Sequence, residues 1–148
     1  MLVIKVISGG QTGIDQLGLK VAKELGIETG GTAPKGYLTE LGPYLSLRDQ
    51  YGLVESEYQA YGPRTRQNVL DSDGTVLFGD MTSPGSNGTI ALCKNYNKPY
   101  KANPSADELR QWLVDNSIKV LNVAGNRGSK VPTKQLLVYR DILYAALK

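Results

Sequence analysis

The sequence predicts an α/β protein, a three-layer sandwich in which helices cover both faces of a Rossmann-like, mostly parallel sheet. Two observations predict this fold. Short apolar, β-branched segments alternate along the chain with longer segments of helical periodicity. Three of the apolar segments run directly into glycine-rich polar loops, which is how a βαβ unit begins. The 148 residues suit one domain, so we expect residues 1–148 to form a single Rossmann-like unit.

The chain begins with the clearest strand and helix. Residues 2–7 are almost continuously apolar, which is typical of a strand buried on both faces. A polar break over residues 8–13 follows, and residues 14–25 carry apolar side chains at helical spacing. Gly26 is a stop signal, so strand, tight loop and helix are predicted in that order.

The next part of the chain is less regular. Residues 27–31 are a weak strand candidate, and residues 32–48, with two prolines and two glycines, are predicted as one long loop. We expect a short strand over residues 52–55 and a short helix over residues 64–71, after Pro63. A loop this long in a small domain is usually functional or mobile.

The middle of the chain repeats the order of strand, loop and helix. Residues 75–78 are a second buried strand, which runs into a Gly/Ser-rich loop over residues 80–88. A helix is predicted over residues 89–96, and a short strand over residues 98–102. Cys93 lies among apolar neighbours and is predicted to be a small buried residue.

The last third begins with a capping box. Ser105 and Glu108 have its spacing, which predicts a helix from this point. A strand over residues 119–123 ends in a polar loop over residues 124–128. The final helix is predicted over residues 133–147.

The composition excludes several kinds of chemistry. The chain has no His, so it has no imidazole base and no His-bearing metal site. With one Cys it has no internal disulfide and no thiolate zinc site, and we predict no metal ligands and a cytoplasmic location. The net charge is only +3 and the basic residues are scattered, so no nucleic-acid partner is expected. No apolar run approaches the ~20 residues that cross a bilayer, so no membrane partner is expected either.

Three polar loops carry the functional prediction. They follow the strands that end near Ile7, Phe78 and Val123, and carboxyl ends of parallel strands meet at one edge of a sheet. Glycine lets a ligand approach the backbone, and a helix N-terminus attracts oxyanions. The sequence therefore predicts a site for a phosphate or a similar anion at this edge.

The first loop supplies the candidate residues Gly9, Gly10, Gln11, Thr12 and Gly13. It is neither a Walker A loop nor the dinucleotide fingerprint. The alternative is a merely structural turn. Asp15, in the first helical turn, is either a partner of the helix dipole or a ligand contact. A side chain at Gly10 is expected to block the ligand and leave the fold intact.

The second loop supplies the candidates Asp80, Ser83, Gly85, Ser86, Asn87, Gly88 and Thr89. Its alternative is a wide turn that needs glycine for geometry, and Asp80 either orients a ligand hydroxyl or caps the loop. The third loop supplies Asn126 and Arg127. Arg127 either clamps an anion with two hydrogen bonds or is solvated.

Further candidates lie in the long loop and in the helix that follows it. Lys35 is a second possible cation, and Arg64 and Asn68 share one helical face that is either ligand-facing or solvent-facing. Four tyrosines either stack on a planar ligand ring or pack the loop onto the protein. These are Tyr37, Tyr44, Tyr58 and Tyr61.

Four blocks of sequence resemble one family. They cover residues 7–16, 31–36, 64–75 and 121–127, beginning with Ile-Ser-Gly-Gly-Gln-Thr-Gly and ending with Leu-Asn-Val-Ala-Gly-Asn-Arg. The chain resembles the family of candidate molybdenum carrier proteins, which is related to molybdenum cofactor carriers. The wider group includes lysine-decarboxylase-like proteins and the DNA-processing protein DprA. The resemblance implies a Rossmann-like fold, a homo-oligomer (dimer or tetramer) and an anionic ligand at the glycine-rich loops.

The second loop also resembles the Pro-Gly-Gly-x-Gly-Thr-x-x-Glu motif of cytokinin-activating phosphoribohydrolases. The catalytic Glu of that motif falls on Leu92, which cannot move a proton. This favours non-catalytic binding of a phosphorylated heterocycle, a molybdenum cofactor (pterin) or a nucleotide, by a carrier, sensor or sequestering protein. No catalytic residue is predicted and no cofactor is required. The alternatives are a nucleotide-processing hydrolase that uses Asp15, Asp73 or Asp80, and a purely structural subunit.

Overall fold

A computed structural model describes residues 2–148, and it contains nine strands and six α-helices in that range. The strands are β1 (Lys5–Ile7), β2 (Glu28–Gly30), β3 (Thr32–Ala33), β4 (Leu38–Thr39), β5 (Gly42–Pro43), β6 (Val54–Glu55), β7 (Gly74–Phe78), β8 (Tyr100–Ala102) and β9 (Val120–Gly125). The helices are α1 (Ile14–Glu24), α2 (Ser46–Asp49), α3 (Tyr61–Asp71), α4 (Pro84–Asn95), α5 (Ala106–Asp115) and α6 (Thr133–Leu147).

The central sheet has five parallel strands in the order β2-β1-β9-β7-β8. From β1 to β2 the chain moves toward one edge of the sheet. From β7 to β8 it moves toward the opposite edge. Since crossovers between parallel strands are right-handed, α1 and α4 lie on opposite faces. Helices α1, α5 and α6 pack together on one face, and α3 packs against α4 on the other. The predicted three-layer α/β sandwich with a parallel Rossmann-like sheet is confirmed.

The core is divided between the main sheet and the segment that follows β2. The larger cluster joins the sheet to α1, α5 and α6 through buried side chains such as Val6, Leu109, Leu121 and Leu143. A smaller cluster places Leu47 and Leu53 against α1. Residues 32–55 were predicted as a loop and a short strand. They instead form several short strands and a short helix, which pack around this smaller apolar cluster.

Several element boundaries differ from those predicted, among them the start of β1, which lies at Lys5 rather than at residue 2. Helix α4 begins at Pro84 rather than residue 89, because Ser83 caps it and proline is favoured in a first turn. Strand β9 continues to Gly125, paired with Phe78. Helix α3 begins at Tyr61, three residues earlier than predicted. The capping box of Ser105 and Glu108 is confirmed.

Candidate functional site

The loops after β1 and β9 contact each other directly. The N–H of Gly128 donates to Thr12 Oγ1 at 3.0 Å, and the N–H of Ile14 donates to the carbonyl of Asn126 at 3.3 Å. Both loops leave the carboxyl edge of the sheet, at the place where the strand order reverses. In open α/β sheets this is where ligands bind.

Asn126 joins these loops to the loop after β7. Its Nδ2 donates to the carbonyl of Asp80 at 3.1 Å and to Ser83 Oγ at 3.0 Å, and its Oδ1 accepts from the N–H of Asp80. Gly79 has a φ of +108°, and a Cβ there would lie 2.1 Å from Asn126 Oδ1. The three polar loops thus form one hydrogen-bonded unit around a buried amide.

Replacing Asn126 by alanine removes this bridge. Because the N–H and carbonyl of Asp80 lose their partner, we expect Asn126→Ala to lower the free energy of unfolding by about 2 kcal/mol. Chemical denaturation measures this loss. Asn116→Ala is the control, since Asn116 bonds only within its own helix end. Equal stability of both variants would contradict the role given to Asn126.

An ion pair lies beneath the first loop. Arg64 Nη1 is 3.2 Å from Asp15 Oδ2, and the two side chains are 13% and 3% exposed. The N–H of Gln11 also donates to Asp15 Oδ2, at 3.3 Å. Burial raises the pKa of Asp15, while the charge of Arg64 and hydrogen bonds from the backbone oppose that rise. Asp15 therefore pairs with protein groups, a role beyond the helix-dipole partner considered for it, and a ligand contact at this residue stays a prediction.

Arg64 is held on both sides. A Cβ at Gly9 would lie 1.9 Å from Arg64 Nη1, so this position must be glycine for the guanidinium to rest on the loop. The ring of Tyr61 covers the guanidinium, with its centroid 5.3 Å from Cζ. The buried Arg64 Nε has no hydrogen-bond partner among residues 2–148. Arg64 is thus a fixed cation with donor capacity to spare.

The other glycines of the first loop are covered by protein. A Cβ at Gly10 would lie 2.6 Å from Leu47 Cδ1, and one at Gly13 would lie 2.5 Å from the carbonyl oxygen of Asn126. Both have positive φ, 77° and 84°. The expectation that a side chain at Gly10 would affect only the ligand is therefore wrong. The lack of a side chain at these glycines leaves room for neighbouring protein atoms.

The side chains of Gln11 and Asn68 also serve the protein. Gln11 Oε1 accepts from the N–H groups of Thr12 and Glu40, at 3.0 and 2.9 Å. Asn68 forms a pair of hydrogen bonds with Thr32, at 2.8 Å to its N–H and 3.0 Å to its carbonyl oxygen. Both side chains are buried. Asn68 therefore fastens α3 to β3.

The N-terminus of α4 is different, because it is open. A Cβ built at Gly85 or Gly88 would meet no atom from elsewhere in residues 2–148 within 4 Å. Ser83 caps the helix and accepts from the N–H of Ser86 at 3.4 Å. Asn87 is exposed. This end of α4 lies beside the Asn126 bridge and offers unshielded backbone at a positive helix end.

The remaining polar candidates are placed around this end of the sheet. Ser86 and Thr89 are buried in the first turns of α4, where Thr89 Oγ1 donates to the carbonyl of Gly85 at 3.0 Å. Asp80 is exposed, and hydrogen bonds from the Thr82 hydroxyl and N–H hold the pKa of its carboxyl below its usual value. Lys35 is exposed in a short 3₁₀ helix.

Two residues at the rim were missed by the sequence reasoning. Glu40, in the turn between β4 and β5, accepts from the N–H and Oγ of Ser129, each at 2.9 Å. Arg127 Nε lies 3.4 Å from Glu40 Oε2. Burial alone would raise the pKa of Glu40, but hydrogen bonds from Ser129 and Thr12 and the charge of Arg127 lower it. Nothing in the local sequence links positions so far apart.

The tyrosines divide between the two alternatives. Tyr37 is buried in the smaller core cluster and Tyr44 packs against it. Tyr58 and Tyr61 are exposed. Packing of the loop thus accounts for the first two, the ring of Tyr61 lies over Arg64, and contact of Tyr58 or Tyr61 with a ligand ring stays a prediction.

Cavities also lie away from the strand-end loops. Two cavities lie elsewhere, one beside Leu113 and Leu147 and the other beside Leu25 and Tyr144. Among residues 2–148, no group of three or more acidic or cysteine side chains could hold a metal ion. No helix in that range has the length and apolar character of a membrane span.

Comparison with known proteins identifies similar chains. The model of the circularly permutated YpsA SLOG family matches residues 6–143. A crystal structure from Syntrophus aciditrophicus SB, of a protein named as a candidate molybdenum carrier, is 35% identical to this chain. The match covers 99% of this chain and 96% of that chain, with a TM-score of 0.89.

Two further structures are distant. A structure of (E)-4-hydroxy-3-methyl-but-2-enyl diphosphate reductase is 14% identical, covering 95% of this chain and 59% of that chain, with a TM-score of 0.41. The corresponding reductase from Plasmodium falciparum is 12% identical, covering 95% and 52%, with a TM-score of 0.38. Likenesses this weak support no functional argument. No curated protein matches the chain significantly.

Proposed function

The chain belongs to the circularly permutated YpsA SLOG family, and from this premise we propose that it binds a phosphorylated heterocycle at its strand-end loops. The ligand class is a molybdenum cofactor or a nucleotide, bound without turnover. The similar protein from Syntrophus aciditrophicus SB, named as a candidate molybdenum carrier, supports the cofactor. The phosphate-binding part of the proposal depends on the site itself.

The open N-terminus of α4 carries the proposal. Gly85 and Gly88 leave the first turns of α4 uncovered by side chains, and the positive end of a helix attracts phosphate. The first loop does not have this property, since its glycines are covered by protein. The proposed phosphate position is therefore at the N-terminus of α4, which packs against α3 on the same face of the sheet.

The positions of the carboxylates favour binding over hydrolysis. Asp73 accepts from the N–H groups of Lys119 and Val120, so it lies at the opposite edge of the sheet. Asp15 is buried and paired with Arg64. Asp80 alone among the three is exposed beside the loops, where it binds Thr82. A hydrolase would need a second acid or base, and Leu92 stands where the similar motif has its glutamate.

Gly85→Asp tests the phosphate position. An acidic side chain in a first helical turn favours the helix, so thermal stability should be kept or slightly raised. Its charge should repel a bound anion and weaken binding of guanosine monophosphate at least tenfold in a calorimetric titration. Asn95→Asp, at the other end of the same helix, makes the same charge change and should leave binding unaltered. Unchanged affinity in Gly85→Asp would contradict this placement.

Native mass spectrometry of the purified protein tests the ligand class. We expect a pterin or a nucleotide to leave the protein on denaturation. Absence of any bound molecule, together with no thermal shift from phosphate, molybdate or guanosine monophosphate, would favour a structural subunit instead. A homo-oligomer, a single domain over residues 1–148 and a cytoplasmic location stay predictions.

A further inference from the structure

The cations nearest the strand-end loops are each paired with a carboxylate. Arg64 is paired with Asp15, and Arg127 is paired with Glu40. The first pair is almost completely buried. In the second pair the Arg127 side chain is 51% exposed and the Glu40 side chain 18% exposed. Only the second pair stands where a dissolved anion could compete for the cation.

The groups around Glu40 form a set of donors suited to an oxyanion. The N–H and hydroxyl of Ser129 donate to separate carboxylate oxygens, each at 2.9 Å, and Arg127 adds a positive charge. A phosphate or molybdate oxyanion accepts hydrogen bonds from the same kinds of group, a main-chain N–H, a hydroxyl and a guanidinium. The Glu40 carboxylate therefore occupies a position that an anionic ligand could take.

Apart from those donors, Glu40 is held by its own turn, in which Thr39 Oγ1 accepts from the N–H of Leu41 at 3.1 Å and donates to the carbonyl of Gly42 at 2.7 Å. It lies in a hairpin of two short strands whose paired residues are Leu38 with Pro43 and Thr39 with Gly42. Leu41, at the turn, is 84% exposed. The N–H of Glu40 donates to Gln11 Oε1 at 2.9 Å. Outside the carboxylate itself, this bond to Gln11 ties the turn to the first loop, so the turn can move when the carboxylate is displaced.

We propose that Arg127 and Ser129 form an oxyanion subsite that Glu40 fills in the ligand-free protein. An anionic ligand enters by displacing the Glu40 carboxylate, which releases the turn between β4 and β5. The subsite rests on the proposed function, because it takes an anionic part of the ligand proposed for these loops. Glu40 thereby selects for anions charged enough to replace a carboxylate.

Glu40→Gln tests the subsite. The amide keeps the shape of the side chain and removes its negative charge. An anionic ligand then no longer competes with a carboxylate for Arg127 and Ser129. We expect roughly tenfold tighter binding of at least one of three probes, phosphate, molybdate and guanosine monophosphate. Asp107→Asn, at an exposed site on α5, makes the same charge change and should bind like the wild type. Arg127→Ala should bind at least tenfold more weakly than the wild type.

Amide hydrogen exchange on the wild-type protein gives an independent measurement. Addition of the tightest probe should speed exchange at Glu40 and Leu41, since the turn is released. The Ser129 amide should stay protected, because the anion replaces the carboxylate as its acceptor. This test needs no variant, so it holds even if Glu40→Gln were to lower stability.

The outcomes separate the two proposals. If the wild type binds a probe but Glu40→Gln binds it no more tightly and the turn stays protected, Glu40 is a structural tether. The subsite is then wrong while the proposed function stands. If neither protein binds any probe at millimolar concentration, the proposed function fails and the subsite fails with it.

Discussion

Asp15→Asn is expected to lower the free energy of unfolding by about 3–5 kcal/mol, the typical result of removing one partner from a buried ion pair. The Arg64 guanidinium would remain in the interior, 13% exposed, without the carboxylate that lies 3.2 Å away. Urea denaturation at neutral pH measures the loss. Glu28→Gln, which breaks the exposed pair with Lys5, is the control and should change stability little.

Removing the other partner of the pair makes the change in stability depend on pH. Arg64→Met leaves the Asp15 carboxylate buried alone, so the pKa of Asp15 in the folded protein rises further. A carboxyl whose pKa is raised on folding favours the folded state below its unfolded pKa and penalises it as the pH rises through the folded pKa. The stability difference between Arg64→Met and the wild type should therefore shrink as the pH falls toward 4. A difference that does not depend on pH would contradict the buried pairing.

Gly13→Ala is expected to destabilise the protein by about 3 kcal/mol or more. The residue has a φ of +84°, which costs an L-residue free energy, and the added Cβ would meet the backbone of Asn126 and Gly128 at 2.5 and 2.6 Å. Backbone atoms cannot rotate away as a side chain can. Differential scanning calorimetry should therefore show a large drop in Tm.

Gly85→Ala is the matched comparison. Its Cβ enters open space in the first turn of α4, and alanine favours a helix over glycine by up to about 1 kcal/mol. Its Tm should stay the same or rise. Similar losses in both variants would show that the two glycine loops do not differ in the way described.

The parts of the fold set by local sequence were predictable. The apolar segments around Val6 and Val76 identified the buried parallel strands, and Ser105 with Glu108 located a helix start. The polar loops after three strands were correctly expected at one edge, because parallel strands share their carboxyl ends. The start of α4 was placed too late, since Gly85 and Gly88 were interpreted as loop residues although Ser83 and Pro84 begin a helix.

The contacts within the candidate site were not predictable. Asp15 and Arg64 are 49 residues apart, and Glu40 and Ser129 are 89 residues apart, so no local pattern joins them. The role of each glycine was also not predictable from the sequence. Gly10 and Gly85 look alike in sequence, but one makes room for Leu47 and the other faces open space. Only the tertiary packing distinguishes a glycine that makes room for protein atoms from one that faces open space.

The hydrogen bond between Gly128 and Thr12 joins positions 116 residues apart. On the ribosome, the segment around Thr12 emerges first, and its partner is added on the order of ten seconds later. Until then the opening helix has no cover over its first turn, and Asn126 is not there to connect the other loops. The strand-end loops can therefore come together only after residue 128 has been added to the chain.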